Sequence, residues 1–229
     1  MPAIELFSYA GCPFAQRSHM VLLEKGLDFE LVEIDLRNRP DWFREISPHG
    51  TVPVLRHEGR VIHESAIINQ YLDEAFTEHP LMPADAHGRA MVRIWMDHCD
   101  ARFLPALLRL MAARDKPGEL AAARDRLGEV MRFMDRGLRN SGDDPYWLGA
   151  HPSLADFHYL PFFERFAVYE ELAGAEWPDD CTRLRAWHET AGQRPSFIAT
   201  RHTLDFHLSL QQRMDQRRAA ASAAAATPG

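Results

Sequence analysis

Ile4 to Tyr9 is a short apolar and aromatic run that stops at Ala10-Gly11, which predicts a strand entering a turn. Pro13 suits the first position of a helix, and the helical pattern runs from there through Lys25 to a stop at Gly26. Phe29, Leu31, Val32 and Ile34 are interleaved with acids and predict a strand over 29–35. A short helix is expected over Pro40–Ile46. Two strands, Val52–Arg56 and Arg60–His63, flank Glu58-Gly59, a hairpin signal. Ile67, Ile68, Tyr71, Leu72 and Ala75 then recur at helical spacing over 65–75. The order β-α-β-α-β-β-α implies a mixed sheet with helices on its faces.

Beyond residue 76 the pattern changes. Phe76–Asp85 holds two prolines and no periodicity, so it reads as a linker. After it, helices are expected over 87–114, 118–139, from Ser153-Leu-Ala-Asp156 (a capping-box start), 182–192 and 201–213. The segment 217–229 is low-complexity and Ala-rich, with nothing to bury a face. The expected division is therefore an α/β unit over 1–78, a linker over 79–85, an all-helical unit over 86–213 and a disordered tail over 214–229.

Composition narrows the partners. The chain of 229 residues has a net charge of -7, a pI near 5.9 and a mean hydropathy of -0.34. Residues 1–80 carry 7 Lys and Arg against 13 Asp and Glu, so most of the negative charge sits there. This argues against nucleic acid as a partner, and an anionic ligand of the first unit must be held by local geometry. The three cysteines, Cys12, Cys99 and Cys181, suggest neither a disulfide framework nor a metal site. The N-terminus lacks a secretory pattern and no apolar run approaches a membrane span, so a cytoplasmic location is expected.

Three places carry chemistry. Cys12 stands at a strand-to-helix junction, where free N–H groups and the helix dipole favour a thiolate and lower the thiol pKa. Ala15, four places into Cys-Pro-Phe-Ala, leaves no resolving thiol, so turnover needs an external one. The bland alternative is a cysteine that only packs. Val52-Pro53 precedes a strand that Pro cannot pair within. A cis bond there would turn the Val52 backbone toward a peptide-like ligand, whereas an edge-strand proline would do nothing. Ser65 is an acceptable N-cap, and Glu64-Ser65 could also bind an α-amino acid: the carboxylate at the helix start, the ammonium on Glu64. Together these sites ask for a ligand with a thiol, a peptide backbone and an amino-acid terminus. Glutathione has all three.

The text SYAGCPFAQRSHMVLLEKGL, then LRNRPDWF, then SPHGTVPVLRHEGRVIHESAIINQYLDEAF resembles the N-terminal domain of glutathione transferases, most closely the omega class. The likeness covers about residues 4–210, strongest in the first third. It implies a thioredoxin-like domain followed by an all-helical one. It also implies that Cys12 forms a mixed disulfide with glutathione and that Phe14 flanks the bound thiol. Arg39, in place of the usual lysine, would reach the glycyl carboxylate. Val52 and the cis-Pro53 would serve the cysteinyl unit, and Glu64 and Ser65 the γ-glutamyl unit. Tyr9 precedes the cysteine and reads as strand packing; Ser153 and Asp156 read as a folding element.

The resemblance further implies a homodimer that uses glutathione and a small electrophilic or disulfide substrate, with no metal, nucleic acid or membrane. The activity it favours is a glutathione-dependent thiol transferase or dehydroascorbate reductase. Alternatives are a conjugating transferase, or a non-enzymatic relative of the stringent-starvation or chloride-channel kind. The second substrate stays unnamed. Phe103, Arg109, Phe163, Phe166 and Tyr169 are candidates for its pocket. RHTLDFHLSL lacks the Trp that omega relatives often carry in the last helix.

Overall fold

The computed structural model describes residues 3–140 and 142–225. A four-stranded sheet is built from β1 (Ile4–Ser8), β2 (Glu30–Glu33), β3 (Val54–His57) and β4 (Arg60–His63), in the order β2-β1-β3-β4. β1 pairs parallel with β2 and antiparallel with β3. Glu58 and Gly59 both have positive φ, 50° and 80°, the backbone that a two-residue hairpin turn demands. β1 is central and buried along its whole length. Ile4 and Leu6 face α1 (Pro13–Glu24) and α3 (Ser65–Ala75), while Phe7 faces a smaller cluster with Phe43 of α2 (Phe43–Ile46) and Val54.

The second unit comprises α4 (Ala86–His98), α5 (Leu104–Ala113), α6 (Pro117–Arg139), α7 (Leu154–Glu164), α8 (Phe166–Ala173), α9 (Thr182–Ala191), α10 (Pro195–Thr200) and α11 (Leu204–Ala225). The single helix expected over 87–114 is interrupted. Cys99–Phe103 forms one π-helical turn, and the Leu104 N–H bonds the Cys99 carbonyl. Pro105 has no N–H for the Ala101 carbonyl, which removes one α-type bond and lets the wider turn take over. The tail expected to be disordered from 214 instead continues α11 to Ala225, as Ala-rich sequence favours; 226–229 lie outside the described residues. The short helices α8 and α10 lie in stretches for which the sequence predicted none.

α7 is buried along almost its whole length and forms the axis of this unit. Its start is the expected capping box. Asp156, fully buried, accepts the Ser153 N–H at 2.7 Å, the Ser153 hydroxyl at 2.9 Å, the Trp147 N–H at 3.0 Å and Trp187 Nε1 at 2.7 Å. Beside it Trp147 stacks on Tyr159, and Trp187 meets Trp147 edge-on.

The larger core cluster is continuous across both units. Polar clasps join them as well. The Lys25 ammonium, fully buried, donates to Asp73 Oδ1 at 3.0 Å, the Glu78 carbonyl at 3.0 Å and the His79 carbonyl at 3.2 Å. The Leu81 N–H donates to the same Asp73 oxygen at 2.7 Å. Arg194, ahead of α10, reaches Glu24 at the end of α1 with Nε at 2.7 Å.

Candidate functional site

Cys12 is the N-cap of α1, with Pro13 at the first helical position. Gly11 holds φ +87°, and a Cβ there would meet Leu210 Cδ2 at 2.7 Å and Phe206 Cε1 at 3.0 Å. Glycine thus permits both the turn and the close approach of α11. The Cys12 thiol points at the Val52 carbonyl, 3.7 Å away. The Val52-Pro53 peptide is cis.

All seven residues singled out in the sequence, Cys12, Phe14, Arg39, Val52, Pro53, Glu64 and Ser65, line one cleft of about 460 Å³, joined by Leu36, His49, Gly50 and Thr51. Arg39 is exposed and spends Nε on the Gly50 carbonyl at 2.8 Å, which leaves the rest of its guanidinium to the cleft. Glu64, not Ser65, is the N-cap of α3; it is exposed, with φ +71°. Ser65 is the first helical residue. Its Oγ caps nothing and receives Arg17 Nη1 at 3.4 Å. Tyr9 packs against the smaller core cluster and does not line this cleft.

The expected depression of the Cys12 pKa meets a correction. Burial pushes this thiol up from the ordinary cysteine value. The Ala15 and Phe14 N–H groups and the Arg165 and Arg17 charges pull the other way without outweighing it. The helix start is there, as the position predicted, but the second unit covers it and removes water.

Two networks were missed in the sequence. Arg17, 1% exposed, runs from α1 into the interface. Its guanidinium lies over the rings of Phe14 and Phe162, donates to the His158 carbonyl at 2.9 Å and pairs with Asp100 at 2.7 Å. His158 Nε2 meets the other Asp100 oxygen at 2.9 Å. Against the cost of burial, His158 and Arg17 together hold Asp100 down to about 2, while burial and Arg17 hold His158 down to about 4. Cys99, Asp100 and His158 offer ligand atoms within 4.8 Å of one another, a grouping a metal ion could use. The Arg17 cation stands in the same cluster, with Nη2 3.5 Å from the Cys99 sulfur and 2.7 Å from Asp100 Oδ1, and supplies a positive charge there.

The second network is Gln16, Glu164, Arg165, His202 and His207. Arg165 donates Nη2 to the Gly11 carbonyl at 3.1 Å and Nη1 to Gln16 Oε1 at 2.9 Å, tying the cysteine loop to the end of α7. The signal was legible in retrospect. Glu164-Arg165 follows directly on the apolar run Leu160-Pro-Phe-Phe163, and charges so embedded are buried together.

A second cavity, of about 490 Å³, lies on the other side of the Gly11–Phe14 segment and shares Phe14 with the first. Leu104, Leu108, Met111, Phe162, Val168, Leu210 and Met214 make it apolar, with Arg165, Tyr169, His207, Gln211 and Arg218 as its polar groups. Of the aromatic candidates, Tyr169 lines it. Phe103 is core, Phe163 and Phe166 line a separate cleft beside Trp177, and Arg109 is exposed. Among the described residues no helix is long and apolar enough to cross a membrane.

Residues 6–80 match the family model described as glutathione S-transferase, N-terminal domain, and residues 117–190 the one described as glutathione S-transferase, C-terminal domain. The chain is 35% identical to a probable glutathione S-transferase GSTU1 of rice over 81% of this chain and 84% of that protein. It is 32% identical to mouse glutathione S-transferase omega-1 over 88% of this chain and 81% of the mouse protein. Among solved structures it superposes on rice GST1 in complex with glutathione with a TM-score of 0.85 at 30% identity, over 94% of this chain and 97% of that one. Glutathione transferase Omega 3C of Trametes versicolor gives 0.81 at 28% identity, over 89% and 90%.

Proposed function

This chain belongs to the glutathione transferase superfamily and is omega-like, and from that premise we propose that it is a glutathione-dependent thiol transferase with Cys12 as its nucleophile. One observation carries the reading. The seven residues that the sequence singled out for a thiol, a peptide backbone and an amino-acid head group share a single cleft. Glutathione lies there with its γ-glutamyl end at the start of α3, between Glu64 and Ser65. Its cysteinyl unit lies against the Val52 backbone and its glycyl carboxylate at Arg39.

The Cys12 thiolate attacks the glutathione sulfur of a mixed disulfide. The S–S bond breaks, the partner leaves as a thiolate, and Cys12 becomes glutathionylated. A second glutathione then attacks that new disulfide, releasing oxidised glutathione and the Cys12 thiolate. The chain supplies no thiol for this step, since position 15 is Ala and Cys99 and Cys181 are buried. The proposed setting is the cytoplasm, and the proposed assembly is a homodimer. Ile67 on α3 and Ile94 on α4 are exposed on neighbouring helices joined by Arg93 to Gln70, an apolar surface that suits a second copy. Light scattering reads that assembly.

The test is intact mass after incubation with a mixed disulfide, alongside turnover. Wild type gains one glutathionyl group on Cys12. Rapid conjugation of a chloronitrobenzene with no adduct would move the assignment to the conjugating class, the second reading.

A further inference from the structure

The apolar cavity beside Cys12 contains an acid–base pair. His207, on the first turn of α11, is 4% exposed and lines this cavity with Gly11, Phe14 and Arg165. Its Nε2 lies 2.6 Å from Glu164 Oε1. The Glu164 side chain is 5% exposed and is itself fixed. Oε1 also accepts the His202 N–H at 3.0 Å, Oε2 accepts Gln16 Nε2, and the Arg165 guanidinium stands at 4.0 Å. A carboxylate so surrounded stays ionised and claims the Nε2 proton. Nδ1 is then the exchangeable nitrogen, and it makes no hydrogen bond among the described residues. A buried imidazole held on one nitrogen by a carboxylate, on the wall of a cavity that also takes in Gly11 and Pro13 on either side of Cys12, is built as a proton shuttle is.

We propose that His207, positioned by Glu164, is the general acid–base of thiol transfer at this site. The proposal rests on the reading of Cys12 as nucleophile. When Cys12 attacks the glutathione sulfur, the S–S electron pair leaves with the partner sulfur into the second cavity. His207, as imidazolium, gives its Nδ1 proton to that thiolate, which departs as a neutral thiol. The imidazole so formed takes the thiol proton of the second glutathione as that sulfur attacks the Cys12 disulfide. The proton is thereby returned, and the cycle balances: one mixed disulfide reduced, two glutathione units released as oxidised glutathione.

A general acid matters in proportion to how poorly the leaving group bears charge. The experiment compares two mixed disulfides of glutathione, one with 2-mercaptoethanol, a basic leaving thiolate, and one with 4-nitrothiophenol, a stable one. In His207→Gln, kcat/KM for the mercaptoethanol disulfide falls about a hundredfold, at the low end of what general acids contribute, while that for the nitrothiophenol disulfide stays within about twofold. The ratio of the two does not depend on the folded fraction, so a partly unstable variant still reports. Glu164→Gln shifts the ratio in the same direction by less. Equal losses on both substrates, or no loss on either, overturn the proposal. A Cys12→Ser variant that still reduces both disulfides would instead remove the nucleophile assignment, a separate failure.

Discussion

The two cavities that share Phe14 are built by different means. The wall of the first, from the α/β unit, presents mostly backbone and helix ends: the Val52 carbonyl, the start of α3, the start of α1. The wall of the second, from the helical unit, presents side chains from α5, α7, α8 and α11, set at a joint where Glu164, Arg165 and His207 are buried together. A backbone wall suits one invariant peptide-like molecule. A side-chain wall can change its contents while the helices behind it stay in place.

That contrast breaks most sharply at Cys12, where the walls meet. Cys12→Ser keeps the volume and removes the nucleophile, so mixed-disulfide reduction falls by at least about a thousandfold and the glutathione adduct disappears from the intact mass. Glutathione binding, which belongs to the backbone wall, survives.

The next largest effect falls on the support of the side-chain wall. Asp156→Ala leaves buried donors of Ser153 and Trp187 without an acceptor at the start of α7, the helix that carries Phe162, Glu164 and Arg165. At about 1–3 kcal/mol for each unsatisfied buried group, unfolding stability drops by about 3–5 kcal/mol, read from urea titration. A loss below about 1 kcal/mol would mean that α7 does not depend on its cap.

Glu64→Gln tests the opposite wall. It removes the charge that faces the ligand ammonium and weakens glutathione binding by about 1–3 kcal/mol in calorimetry, with stability unchanged because the Glu64 side chain caps nothing.

The smallest effect concerns the thiol itself. Burial raises the Cys12 pKa, so in the free protein the midpoint of its alkylation rate against pH lies above the ordinary cysteine value of about 8.5. Arg165→Met takes away a charge that favours the thiolate and moves the midpoint higher still. A midpoint below the ordinary value would show that the helix start dominates over the covering unit.

This last point marks where sequence legibility ends. Cys12, Pro53 and Glu64 stand at a turn or a helix start that adjacent sequence marks, so a few neighbouring residues singled them out as candidates. The order of strands and helices through Ala75 followed from periodicity and turn residues for the same reason. His207, Arg165 and Asp100 act through partners 43, 154 and 83 positions away, and no local pattern encodes such distances. The sign of the Cys12 shift was lost in the same way, because burial is a property of the assembled units. The π turn escaped because the helix-forming composition runs unbroken over 87–114, while the interruption at Pro105 removes a single backbone bond and leaves that composition unchanged.

The crossing between the units has a consequence for anyone who would cut or lengthen this chain. By composition, the stretch after Phe76 looks like the natural place for a protease site, a permuted terminus or an inserted tag. Yet Glu78 and His79 supply carbonyls to the buried Lys25 ammonium, and Leu81 gives its N–H to the carboxylate paired with it. An engineered break there would strand a cation inside the first unit. The two halves are therefore poor candidates for separate expression, and a better splice point is the exposed turn at Glu58-Gly59.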